Sequence, residues 1–253
     1  MFLAEYYNSL SSLAMAFVGL LGCYLHPWAE TRFKVAFLCT SVVGLGSVAF
    51  HGTLSKFTQA LDEVPMLYSA LAFTYITMCQ RYKLGLSLRR LLAVLLVLHA
   101  AITTYLTTAF EGEWQFTLFH ISFASGEVFA LYQTIIIYRK HKQIAYNRQF
   151  TRLFELGIGM YALAFACWFT DMLGCEYLEP AYGHSVTGFN PQFHALWHVC
   201  VSIGLYLMAI FALYDRMSSR LFKNQLGIGF FGMIPFIRLN VSPDNQDLKQ
   251  VRF

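Results

Sequence analysis

The chain of 253 residues is 57% hydrophobic and only 13% charged, which leaves too little charge to cover the surface of a soluble domain. The composition therefore excludes an ordinary soluble protein and indicates an integral membrane protein. The formal net charge of +4 does not indicate nucleic-acid binding, because the loop charges reflect the orientation of the chain in a membrane.

Seven apolar runs are each long enough, at about 20 residues, to cross the hydrocarbon core of a bilayer. The first run has no Lys or Arg before it and carries Glu5, so it lacks the basic start of a cleavable signal peptide and is treated as a permanent span. The runs are residues 3–25, 33–54, 61–80, 88–108, 114–138, 154–175 and 193–213. The pattern predicts an all-α fold, a seven-helix transmembrane bundle in which residues 1–253 form a single domain.

The last apolar segment, LGIGFFGMIPFI after Lys223, is short and interrupted by Gly and Pro. We expect it to lie at the membrane interface rather than to form an eighth crossing. Residues 224–253 are accordingly predicted to be a cytosolic tail with an interfacial segment.

The distribution of basic residues predicts the orientation of the bundle. Every Lys and Arg in the sequence except Lys56 falls on one side of the seven runs, in the loops, at the adjoining ends of the runs or in the tail. The positive-inside rule places that side in the cytosol. We therefore expect a lumenal or outside N-terminus and a cytosolic C-terminus.

Ionisable residues inside membrane spans are energetically costly and usually functional. Ser47 and His51 come late in the second run, Asp62 begins the third, and His194 and His198 begin the seventh. Because successive helices alternate in direction, these five side chains are predicted to converge at one depth near the lumenal face. Glu127, well inside the fifth run, is expected to pair with another buried group or to line a cavity.

Three imidazoles at a common depth, with a carboxylate and a hydroxyl nearby, are typical of a catalytic zinc site, which has three protein ligands and an open fourth position. We predict that His51, His194 and His198 bind the metal. Asp62 is then expected to act as the base that deprotonates water, and Ser47 to donate a hydrogen bond to the developing oxyanion. The stretch HALWH lacks the Glu of the zincin pattern H-E-x-x-H, so a metalloprotease of that type is not indicated.

Four stretches of the sequence together resemble the alkaline ceramidases. They are AEYYNSLSSLAM (4–15), GSVAFHGTLSKFTQALDEVPMLY (46–68), CWFTDMLGC (167–175) and FHALWHV (193–199). The S-x-x-x-H, D-E and H-x-x-x-H boxes keep the order and spacing of that family. The same boxes occur more loosely in the progestin and adiponectin receptors, but the contexts LDE-P-M-Y and W-x-x-D-x-x-x-C favour the ceramidase branch.

The resemblance implies hydrolysis of the ceramide amide to a sphingoid base and a free fatty acid, in the endoplasmic reticulum or Golgi membrane. It implies the same zinc ligands, His51, His194 and His198, and catalytic roles for Ser47 and Asp62. It also implies a calcium site that includes Glu5. The family's acidic stretch D-W-C-E-x-N, which contributes to that site upstream of the first helix, is not in this sequence, so the expected calcium site is incomplete.

Two other functions stay open on the sequence. One is a lipid-sensing receptor of the progestin and adiponectin receptor type, and the other is an inactive homologue that binds sphingolipid. The expected partners are a ceramide or other sphingolipid substrate and the lipid bilayer. Nothing in the sequence indicates a nucleic acid or an obligate protein partner.

Overall fold

The computed structural model describes residues 4–144, 147–178, 190–219 and 225–240. Seven helices follow one another along the chain, and a two-stranded antiparallel sheet comes after the last of them. The helices are α1 (Tyr6–Leu25), α2 (Thr31–Thr53), α3 (Lys56–Arg81), α4 (Leu86–Ala109), α5 (Gly112–Ile144), α6 (Arg148–Leu178) and α7 (Phe193–Ser218), and the strands are β1 (Leu226–Phe231) and β2 (Ile234–Leu239).

Six of the seven helices are long and apolar enough to cross a membrane, which makes the chain a multi-pass membrane protein. The helix outside that set is α3, whose first turns contain Gln59, Asp62 and Glu63. These polar residues lower its mean hydropathy, although its length and its position beside α2 are those of a seventh bundle helix. The predicted all-α bundle of seven helices is confirmed, and the small sheet is an addition to it.

Helix α7 occupies the centre of the bundle, and most of its residues are buried from Cys200 to Met217. It packs against α6 on one side and α1 on the other, while α2 packs between α1 and α3. Helix α5 packs on α3, and α4 lies outside both of them. The buried residues of α4 are Thr103 and Thr107, so most of its apolar surface faces outward, as expected for a helix in contact with lipid.

A buried ion-pair network joins the beginning of α2 to the end of α7. The Arg216 Nε atom donates to Glu30 Oε1 at 2.6 Å, and Arg32 Nη2 lies 2.8 Å from Glu30 Oε2. Glu30 is only 8% exposed. The network lies at the end of the bundle where α2 begins and α7 ends. The positive-inside rule predicts that this end faces the cytosol.

The segment LGIGFFGMIPFI forms a β-hairpin, which we call the tail hairpin (residues 226–239). Its two-residue turn contains Gly232 at φ +59°, a backbone conformation that glycine adopts without steric cost. Leu226 and Ile237 are buried in the same core cluster as residues of α1, α2 and α7. The sequence predicted no strands here, because Gly227 and Gly229 interrupt the alternation of side chains that would identify them.

A neutral histidine holds the tail hairpin against the bundle. His26 follows α1 and has no exposed surface (0%). Its Nδ1 lies 2.9 Å from the Gly22 carbonyl and donates to it, so its Nε2 accepts from the Ile237 N–H at 3.1 Å. Burial lowers the pKa of His26 to about 4, because the imidazolium would lose its hydration.

This histidine makes the stability of the protein dependent on pH. The pKa of His26 is about 4 in the folded protein and 6.5 in the reference state. The contribution of neutral His26 to the free energy of unfolding is therefore complete above pH 6.5 and is lost as the pH falls toward 4. The loss at low pH amounts to about 3 kcal/mol. We expect the wild-type unfolding midpoint in detergent to fall more between neutral and mildly acidic pH than that of His26→Gln, whose side chain keeps a donor and an acceptor and does not titrate. Equal falls in the two proteins would contradict this expectation.

Candidate metal centre

Three histidines from two helices form one cluster. His51 lies in the last turn of α2, and His194 and His198 lie one turn apart at the start of α7. The three ring centroids are separated by 5.0, 5.1 and 4.8 Å, and one potential ligand atom from each ring lies within 4.8 Å of the others. A group of this geometry could bind a single metal ion.

The Nδ1 atom of each ring faces an oxygen atom of the protein. His51 Nδ1 lies 2.5 Å from Glu5 Oε2, and His194 Nδ1 lies 3.4 Å from Asp171 Oδ2. His198 Nδ1 lies 2.8 Å from Ser11 Oγ, whose own hydroxyl donates to the Asn8 carbonyl at 3.1 Å. Such partners determine the tautomer and orientation of metal-binding histidines and leave Nε2 of each ring available as the ligand atom.

Glu5 reaches His51 because the segment before α1 pairs with the end of α2. The Glu5 N–H donates to the His51 carbonyl at 2.9 Å, and the Ala4 N–H donates to the Gly52 carbonyl at 3.1 Å. The hydrogen bond from His51 holds the pKa of the Glu5 carboxyl below its usual value, so Glu5 is ionised as the acceptor. One Glu5 oxygen thus faces His51, and calcium binding by Glu5 stays a prediction.

Ser47 and Asp62 lie beside the histidine cluster. Ser47 is buried one turn before His51, and its Oγ lies 3.4 Å from His198 Nε2 and 3.0 Å from Ser12 Oγ. The Asp62 carboxylate is close enough to interact with the Ser47 hydroxyl and with the His194 ring. A hydroxyl and a carboxylate therefore border the space between the rings.

Asp62 is brought to this position by an unusually close approach of α2 and α3. Pro65 inside α3 has no N–H, so the carbonyl of Leu61, four residues earlier, lacks its helical donor. That carbonyl faces Gly46 of α2, where a Cβ atom would lie 1.9 Å from the Leu61 oxygen. Only a glycine fits at position 46 without a shift of the backbone, and the contact places Ser47 beside Asp62.

We expect Gly46→Ala to lower the free energy of unfolding by about 1–3 kcal/mol, the usual cost of overpacking. The added methyl group must push α3 away from α2, because the atom it meets belongs to the backbone. Thermal unfolding in detergent measures the effect. Gly159→Ala is the matched control, since Gly159 is also helical and has no atom within 4 Å of its Cβ position; the prediction fails if both variants unfold at the wild-type midpoint.

The structure brings together all five side chains that the sequence placed at one depth. It also adds partners to which the sequence assigned no role, namely Ser11 and Asp171. Asp171 is an ionisable residue near the end of an apolar run, at the same end of the bundle as His194, and this depth is the signal that could have linked the two. Glu127, expected to pair or to line a cavity, accepts a hydrogen bond of 2.6 Å from Tyr161.

Comparison with known proteins identifies the family of the chain. Residues 1–235 match the family model of the ceramidases. The chain is 29% identical to alkaline ceramidase 3 of Mus musculus over 221 residues, which cover 85% of this chain and 79% of that protein. It is 25% identical to alkaline ceramidase of Arabidopsis thaliana over 247 residues (94% and 87%) and 27% identical to alkaline ceramidase 1 of Homo sapiens over 218 residues (84% and 77%).

The matched range, residues 1–235, covers all seven helices and the positions of the three clustered histidines, Ser47 and Asp62. The chain therefore belongs to the ceramidase family.

Proposed function

We propose that the protein is a zinc-dependent amidohydrolase that cleaves the amide of ceramide to a sphingoid base and a fatty acid. The observation that carries the proposal is the orientation of the three rings. The Nδ1 atoms of His51, His194 and His198 each face a protein oxygen, so their Nε2 atoms are left to share one cation. We further propose the endoplasmic reticulum or Golgi membrane as its location and a lumenal position for the metal centre.

The donor set fits zinc. Three neutral imidazoles are a known ligand set for catalytic zinc, which keeps one open position, and burial of His51 and His198 at 5% and 0% exposure limits exchange with solvent. When bound, zinc would polarise the substrate carbonyl and lower the pKa of a water molecule to about 7. The carboxylate of Asp171 and the hydroxyl of Ser11 hold two of the rings in place for it.

Asp62 and Ser47 supply the groups that amide hydrolysis needs. In our proposal the Asp62 carboxylate takes a proton from the attacking water and delivers it to the amide nitrogen as the C–N bond breaks. The Ser47 hydroxyl donates a hydrogen bond to the oxygen that becomes negatively charged when water adds to the carbonyl carbon. Both side chains border the histidine cluster.

Ceramide is expected to enter laterally from the bilayer. Helix α5 packs on α3, and α6 packs on α7, whereas α5 and α6 touch each other only sparsely. The hydrogen bond from Tyr161 to Glu127 joins these two helices, and Trp197 packs against the rings of His194 and His198. In our proposal the seam between α5 and α6 therefore offers the acyl chain and the sphingoid tail a route toward the metal centre.

The test is release of sphingoid base from labelled ceramide by the purified protein. We expect turnover that a zinc chelator removes and that added zinc restores. Ceramide binding without release would instead favour a lipid-sensing receptor or an inactive sphingolipid-binding protein. Turnover that persists after zinc has been removed, verified by metal analysis, would contradict the role of the metal.

A further inference from the structure

The tip of the tail hairpin carries the most exposed large apolar side chains near the end of the described chain. Phe230, Phe231 and Met233 are 67, 51 and 95% exposed. From Leu226 to Ile237 the hairpin contains no charged residue, and the first charge, Arg238, is exposed beside its open end. Polarity therefore changes along the hairpin, from a charged base to an apolar tip.

The contacts of the hairpin place its tip at the level of the membrane-spanning part of α7. Tyr206 lies ten residues before Arg216, or about 15 Å along the helix axis, and Arg216 is joined to Glu30 where α2 begins. The Tyr206 hydroxyl donates to the Pro235 carbonyl at 2.9 Å. The hairpin turn therefore lies well inside the level of the ion-pair network, on the side of the bilayer centre.

A second set of contacts gives the direction of the hairpin. Ile237 is bonded to His26, just after α1 ends, whereas Pro235 is bonded to Tyr206 in the interior of α7. The chain from Ile237 back to Met233 covers about 13 Å at the rise of a strand. The hairpin thus runs from the end of α1 toward the middle of the bundle, tip first.

The outer edge of β2 carries no unpaired backbone donor at two positions close to the bundle. In the observed register Ile237 pairs with Ile228, and Pro235 pairs with Phe230. Counted from the two-residue turn, both are non-hydrogen-bonded pairs, so the N–H and C=O groups of these residues point away from the partner strand. The outward N–H of Ile237 is bonded to His26, while Pro235 has no N–H and its carbonyl accepts from Tyr206. Unpaired backbone donors, which are costly in lipid, are thereby avoided at both positions.

Strand β2 contacts α1, a helix that also exposes large apolar side chains. On that helix Phe17, Leu20 and Tyr24 are 53, 55 and 75% exposed. An exposed apolar tip at the level of the membrane-spanning part of α7 has lipid acyl chains as its natural occupant, because no polar side chain interrupts the tip. We propose that the tail hairpin inserts tip first into the leaflet at the C-terminal end of α7 and that Phe230, Phe231 and Met233 contact acyl chains there. The basic loops assign this leaflet to the cytosolic side, and the inference does not depend on the hydrolase activity.

Depth-dependent fluorescence quenching tests this proposal on the full-length protein in lipid nanodiscs. The fluorescent amino acid dansylalanine replaces Met233 in one variant and Phe231 in a second, and the unfolding midpoint of each is compared with the wild type. We expect emission from both positions to be quenched by lipids brominated at mid-chain and not by aqueous iodide. The matched control is dansylalanine in place of Arg238, where we expect quenching by iodide instead.

Two results would overturn the proposal. Quenching of the tip by iodide alone would place it in water. Quenching by neither agent would mean that protein, such as a second copy of the chain, covers the tip. Using two tip positions guards against a local disturbance by one label, since Phe231 is itself aromatic and only half exposed.

Discussion

Replacing His198 with alanine is expected to remove both bound zinc and ceramide turnover. His198 is the most deeply buried of the three rings, and it lies between the other two histidines and Ser47. Its loss leaves two ligands, too few for a stable catalytic zinc site. We expect turnover to fall by a factor of about 10³ or more, at least the effect of deleting one oxyanion-hole donor. Metal analysis and sphingoid-base release, measured on the same preparation, give the two readouts.

His99→Ala is the matched control for this variant, because His99 lies exposed on α4, away from the cluster. We expect it to keep wild-type zinc content and turnover. Both variants should insert into membranes and unfold cooperatively in detergent. Purified His198→Ala with wild-type turnover would rule out the proposed metal role, and loss of turnover in both variants would point to general damage instead.

Asp62→Asn is expected to abolish most of the turnover while zinc stays bound. The amide has nearly the shape of the carboxylate but cannot accept a proton, so the proposed base is removed without opening a cavity. The loss should be about 10²- to 10⁴-fold, the usual contribution of a positioned general base. Because Asp62 is not one of the clustered histidines, zinc content measured on the purified variant should match that of the wild type.

The neighbouring Glu63 provides a matched control within the same D-E pair. Its carboxylate accepts from Gln59 Nε2 at 2.8 Å and also bonds to Gln115, on the side of α3 that faces α5. We expect Glu63→Gln to keep turnover within a few-fold of the wild type, since this carboxylate does not border the rings. Equal losses in the two variants would indicate that the D-E pair acts through the packing of α3 rather than through Asp62 as a base.

The sequence could predict the depth of the residues that form the candidate metal centre. Once the seven spans were identified, alternation of helix direction placed His51, Asp62 and His194 near the same face, although about 140 residues separate the first from the last. Hydropathy alone would have been less informative, because α3 falls outside the six helices that are apolar enough to span a membrane. Its polar first turns, which weaken the hydropathy signal, are the part that borders the site.

Rotation of each helix about its axis could not be predicted in the same way. Whether Glu5, Asp171 or Ser11 faces a histidine depends on which side of α1 and α6 turns toward the cluster, and that depends on side-chain packing between helices. The close approach at Gly46 shows the same limit, because it requires the Leu61 carbonyl, left without a helical donor by Pro65, to face α2. Likewise, the strands of the tail hairpin were not predicted, because Gly227 and Gly229 interrupt the alternation of side chains. The position of the hairpin against the bundle depends on the contacts of His26 and Tyr206.

The sequence by itself determined the class of protein, the number and order of its helices, and the depth of its costly polar residues. These follow from composition and from the length of chain needed to cross a bilayer, both of which are properties of the chain alone. The tertiary structure decided which polar groups meet, which nitrogen of each histidine is left for a metal, and how the tail hairpin lies against α1 and α7. Those outcomes depend on contacts between residues far apart in the chain, and such contacts exist only once the helices have packed.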